Sequence, residues 1–188
     1  KNSKAYEVLT NLSSTKNNII LDFNYTASTR LILKQCGLSD EDIDNRLIKV
    51  HGEASNNDII FGVEDNAGIK KEHVFLRKAY NIKYKALNFS ELYDRIKSVA
   101  IFGHSLGETD HTYFNKLFQE SCMYNKFSTN NNKEFWLFYY KENGYHCMMQ
   151  QLDSLTHNSL TSFRQYNRVN FINTDKELSL IHISEPTR

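Results

Sequence analysis

A mostly parallel α/β sheet covered by helices is the architecture that three features of this 188-residue sequence point to. Short apolar runs rich in β-branched and aromatic residues recur without the in–out alternation of a half-exposed sheet. Stretches with helical spacing lie between them. Polar residues able to do chemistry follow several of the runs, where an open parallel sheet places its ligand crevice.

The elements follow in order. The opening KNSKAYEVLT is polar and amphipathic, unlike the basic stretch and apolar core of a signal peptide. The first apolar run is residues 19–23 (IILDF), and Leu31, Leu33 and Cys36 continue it at helical spacing. Residues 47–51 (LIKVH) form the second run, and 59–63 (IIFGV) an additional candidate. Phe89, Leu92, Tyr93 and Ile96 then lead helically into 98–102 (SVAIF). A helix over 110–122 would put Tyr113, Phe114 and Leu117 on one face. Residues 134–140 (EFWLFYY) read either as a buried strand or as an aromatic binding surface. Residues 141–165 read as a covering helix, in which the neighbours His146 and Cys147 point apart and make no dyad. Residues 168–172 (RVNFI) close the order β-α-β-(β)-α-β-α-β-α-β, with right-handed crossovers expected.

With Gly 7 and Pro 1, no linker divides the chain, so one domain is expected over 1–173. Residues 174–188 read as a tail outside it, and 179–188 resemble a translated sequencing adaptor.

Composition excludes several classes. Apolar residues at 40% and aromatics at 13% argue against disorder. Lys+Arg 23 against Asp+Glu 22 gives net charge +1, with no footprint for nucleic acid or an anionic membrane. No apolar stretch is long enough to span a bilayer. Cys36, Cys122 and Cys147 form no CxxC pair, so a disulfide scaffold or zinc module is not expected, and no metal is implied. A reducing cytoplasm is the natural setting.

The strand ends carry the candidate chemistry: Asn24-Tyr25-Thr26 after the first run, His51-Gly52 after the second, and Gly103 to Asp110 after the third. Taken singly, Asn24 and Asp110 read as helix caps, His51 as a core histidine, and Gly52 and Gly103 as turn glycines. Gly103-His104-Ser105-Leu106-Gly107 also matches the GxSxG nucleophile elbow of α/β-hydrolases, with Ser105 as nucleophile. Against that stand the bulky residues after the serine and the placing of Asp153 and His157 four apart in a helical segment. His182 lies in the tail.

FNYT at 23–26, KVHG at 49–52, IIFG at 59–62 and FGHSLGETDHTYF at 102–114 together resemble the AbiH family. These are bacterial proteins associated with abortive infection, the arrest or death of a phage-infected cell. The same words are distantly similar to sirtuin-like NAD-binding domains, whose strands end in NYD, LHG and G(Y/H)S..D in this order. The resemblance implies a three-layer Rossmann-like fold, with NAD or a related nucleotide as ligand and a phage-derived trigger as partner. The family's upstream GNGFD element, which would cradle a pyrophosphate, has no counterpart here, so the chain is expected to be a fragment. Thr26 stands where sirtuin-like domains carry Asp.

Roles carry over by that resemblance. Asn24 would orient a ribose hydroxyl or water, and His51 would act as general base in an NAD glycohydrolase-type reaction. Gly103 would admit backbone to the ligand, Ser105 would bind phosphate or ribose, and Asp110 would anchor the next helix or accept from ribose. His104 would line the pocket, with Tyr25, Thr26, Gly52 and Leu106 completing the cofactor-binding set. The alternative is a sensor that binds a nucleotide or phage component without turnover. Oligomerisation is left open.

Overall fold

The computed structural model describes residues 4–15, 17–63, 67–81, 95–123 and 132–175. They fall into two compact units, one drawn from Lys1–Lys85 and one from Ala86–Ser179.

In the first unit, helix α1 (Lys4–Ser14) precedes strand β1 (Ile20–Asp22), helices α2 (Ser28–Gln35) and α3 (Asp40–Arg46), and strand β2 (Leu47–Lys49). β1 and β2 pair in parallel, with Ile20 opposite Leu47 and Asp22 opposite Lys49. The α2–α3 corner follows from local chemistry. Gly37 takes φ +91, its N–H donates to Lys34 O, and the Leu38 N–H reaches back to Leu33 O at 3.2 Å. That pair of bonds satisfies carbonyls the helix end would leave open. Ser39 then caps α3 by accepting from the Asp42 N–H at 3.1 Å. The corner buries Leu33, Ile43 and Leu47, against which Leu9, Ile20 and Leu38 pack.

In the second unit, β3 (Ser98–Ile101), β4 (Glu134–Tyr139) and β5 (Arg168–Asn173) form a parallel sheet with β4 in the middle. Helix α4 (His111–Ser121) connects β3 to β4, while α5 (Lys141–Leu155) and α6 (Leu160–Tyr166) connect β4 to β5. The core is aromatic: Phe118, Phe135 and Phe163 are fully buried, with ring centroids 4.8 to 5.6 Å apart. At the amino ends of the strands, the buried Asn167 donates to Ser121 O and Phe163 O and accepts from the Lys133 N–H. One amide thereby ties two helix ends to the start of β4.

The protein is thus a mixed α/β protein with parallel ladders, and each of the five main apolar runs contains a strand. Three expectations change in detail. Residues 59–63 contribute only an isolated parallel bridge, Val63 with Arg77. Here a Cβ on Gly62 would lie 2.5 Å from Leu76 O, and Phe61 points outward. The single helix expected over 141–165 is two, because His157 and Asn158 adopt φ +51 and +60 and end α5. Thr174, assigned to the tail, follows the end of β5 directly and donates its N–H to Tyr139 O at 2.8 Å. Phe89, Leu92 and Tyr93, and the tail beyond 175, lie outside the described residues.

Candidate functional site

The end of β1 and the end of β2 are joined by charge. Asp22 and Lys49 are the last residues of their strands and register partners. The Lys49 ammonium donates to Asp22 Oδ2 at 2.9 Å and to Thr26 O at 2.7 Å, and it also reaches Asn24 O. Glu53 Oε2 stands 3.9 Å away. All three ionic side chains are largely buried, so one cation offsets two carboxylates away from bulk water. The other oxygen of Asp22 accepts from the Asn24 backbone N–H at 2.9 Å and from its side-chain amide at 3.1 Å. The Asn24-Tyr25-Thr26 turn is therefore held from both sides, and all three of its residues are exposed.

Asn24 does not cap the next helix, whose N-cap position is Ala27. Thr26 Oγ1 lies 3.0 Å from Ser28 Oγ. His51 is 5% exposed and lies in an aromatic box. Its ring meets Phe23 edge-on at 5.4 Å and stacks on Tyr25 at 5.9 Å. Tyr25 in turn faces Phe61 at 5.6 Å. Tyr25 is 38% exposed and Phe61 70% exposed, so the series His51, Tyr25, Phe61 runs from core to surface. Gly52 is required by geometry. Its φ is +74, and a Cβ there would sit 2.1 Å from Asp58 O. The Asp58 carboxylate accepts the Glu53 N–H at 2.6 Å, which fixes the turn after His51.

The loop after β3 belongs to the second unit. Gly103 takes φ +65, and the fully buried Leu106 takes φ +55. His104 Nδ1 accepts the Leu106 N–H at 2.9 Å, so that nitrogen carries no proton and Nε2 is the donor toward Asp110 Oδ2 at 3.3 Å. His104 also packs 5.3 Å from the Phe114 ring. Asp110 occupies the N-cap position of α4 but turns its carboxylate to His104. His111 Nε2 faces both Leu106 O and Gln151 Oε1, which fastens the loop to α5.

Ser105 departs from a nucleophile elbow. An elbow carries its strained φ on the nucleophile and enters a helix at once. Here the positive φ values fall on Gly103 and Leu106, and α4 begins only at His111. Asp153 lies within α5, and His157 Nε2 faces Gln119. Among the described residues, no group of three His, Cys, Asp or Glu side chains could hold a metal, and no helix is long and apolar enough to cross a membrane.

A family model described as bacteriophage abortive infection AbiH matches residues 1–140. The chain belongs to the AbiH family. No curated protein and no solved structure gives a match. The matched region takes in all three sequence words of the first unit and the whole 103–110 loop of this AbiH protein.

Within the first unit, the structure brings Asn24, Tyr25, Thr26, His51 and Gly52 to adjoining strand ends. Within the second, Gly103, His104, Ser105, Leu106 and Asp110 share one loop. Sequence reasoning missed Asp22, Lys49 and Glu53, which hold the first of these in place. The available signal was a lone charge in each of two apolar runs, the Asp of IILDF and the Lys of LIKVH.

Proposed function

We propose that this AbiH protein serves abortive infection by engaging NAD or a related nucleotide at the ends of β1 and β2. The observation that carries the reading is the graded series of rings from buried His51 to exposed Tyr25 and Phe61, beside the exposed Asn24, whose side-chain amide is anchored on Asp22. Exposed rings offer stacking surface to a nicotinamide or adenine base, and an amide suits a ribose hydroxyl. In the proposed reaction, Asn24 orients water toward the anomeric carbon and His51 takes the water's proton. A C–O bond forms, the C–N bond to nicotinamide breaks, and the leaving ring keeps the electron pair. Nicotinamide and ADP-ribose result. The reading takes the fold as Rossmann-like and sirtuin-like, the setting as cytoplasmic, and the trigger as a phage-derived component.

A second reading, binding without turnover, is favoured by the burial of His51 between Phe23 and Tyr25. One experiment separates the two. The chain is supplied with NAD, nicotinamide release is followed, and binding is measured by calorimetry. Under the catalytic reading Asn24→Ala and His51→Ala each cut release by about 10²-fold or more. Binding heat with no product supports the sensor. Equal turnover in both variants rejects the assignment of these residues.

A further inference from the structure

The carboxyl ends of β3 and β4 frame a half-open pocket of about 210 Å³ that lies wholly within the second unit. Its walls are apolar: Phe138, Tyr139, Tyr140 and Met148, with Gly144 leaving one side open where a side chain would otherwise stand. The walls are held from behind. Phe138 is buried and braced edge-on by Phe102 at 5.5 Å, Tyr139 by Tyr145 at 5.2 Å, and Met148 is buried in α5. The polar rim is small, consisting of the exposed Ser105 hydroxyl and Cys147 thiol beside His104. Both nitrogens of His104 already face Leu106 and Asp110.

Size and chemistry together select a ligand class. A dry cavity of about 150 Å³ takes benzene, whereas pockets for drug-sized ligands run from about 300 Å³ upward. The space here fits one or two fused rings, and anything larger would extend out of it into solvent. No Arg or Lys is among its lining residues, and the Lys141 ammonium at its edge is engaged over the Tyr140 ring at 5.0 Å, so the pocket itself presents rings and not charge. Aromatic faces and a thioether do favour a flat π-system, and the hydroxyl and thiol can meet its polar edge.

We propose that this cavity binds an uncharged, planar heteroaromatic molecule of one or two rings, with Ser105 and Cys147 at the ring's polar edge. The site uses neither Asn24 nor His51, so it stands or falls apart from the reading above.

Cys147 supplies the readout. The full chain is treated with iodoacetamide, and labelling of the peptide carrying Cys147 is followed by mass, with adenine and indole as probes and inorganic phosphate as the control. A probe at ten times its dissociation constant should slow Cys147 labelling roughly tenfold by mass action, leaving Cys36 and Cys122 unchanged. Phosphate should give no protection. Gly144→Met fills the open side, and the folded variant should lose the probe's calorimetric heat. Chain alkylated at Cys147 beforehand should lose it too, which keeps the test decisive if the variant fails to fold. The proposal is overturned if neither ring compound binds, if all three thiols are protected alike, or if heat persists after both perturbations.

Discussion

The two strand ends of this protein solve the same problem with opposite materials. Where β1 meets β2, the backbone turn is held by an ammonium between two carboxylates, and the apolar contribution is the corner packing of Leu33, Ile43 and Leu47. Where β3 meets β4, a core of phenylalanines sets the position of everything above it, and the loop is fixed by His104, Asp110 and His111 at its margin. The first arrangement is directional: each bond to Lys49 specifies where a particular carbonyl goes. The second is volumetric, and any well-packed apolar set of the same shape would do. Precision at Asn24 is therefore bound to charge, and shape near Ser105 to packing.

Breaking each device should show the difference. Lys49→Met leaves Asp22 and Glu53 buried without their cation, and removing one partner of such a cluster costs about 3–5 kcal/mol. Urea unfolding of the chain measures the loss, and hydrogen exchange should place it at residues 22–26. Combining it with Asp22→Asn and Glu53→Gln should recover much of the stability, since neutral isosteres no longer demand a cation. In the second unit, Leu137→Ala, at a fully buried position of the middle strand, costs about 2–5 kcal/mol through lost burial and an unfilled cavity. A second truncation at another fully buried side chain of this unit, Leu152→Ala, can only add to the loss. Recovery in the first series and none in the second would establish the contrast; recovery in neither would make the charged cluster mere packing.

Sequence reasoning reached the two regions unequally for the same reason. Strands covered on both faces are nearly uninterrupted apolar runs, so all five main runs were legible at once. Asp22 and Lys49 were not, because each was absorbed into the run containing it, and only the parallel register makes them neighbours. The end of α5 was invisible too: His157 and Asn158 turn the chain in left-handed conformations without a glycine or proline to announce it. The words NYT and HG did lead to adjoining strand ends, since a parallel pair brings equivalent ends together. The cavity beside Ser105 needs Gly144 and Cys147 from a helix some forty residues on, a juxtaposition that no local pattern encodes.

The smallest expected effect sharpens the comparison, because it concerns charge with no burial behind it. On the α2–α3 corner, Asp40 accepts from Lys34 at 2.8 Å and from Arg30 at 3.3 Å, and Arg30 also pairs with Asp44. The Lys34 ammonium holds the Asp40 carboxyl below its usual range, with Arg30 adding to the effect. A carboxylate depressed in the folded state stabilises only while ionised, so the contribution is present above the ordinary aspartate range and is lost as pH falls through the folded value. Asp40→Asn should therefore melt slightly below the parent at neutral pH, and the gap should close as the pH drops below about 4. Raising salt to about 1 M shortens the screening length to about 3 Å and should erase the gap at neutral pH as well, because these side chains stand in water. The loss caused by Lys49→Met should survive the same salt, since mobile ions do not reach a cluster closed off by the turn it holds. Equal salt sensitivity at the two positions would mean that burial does not separate them.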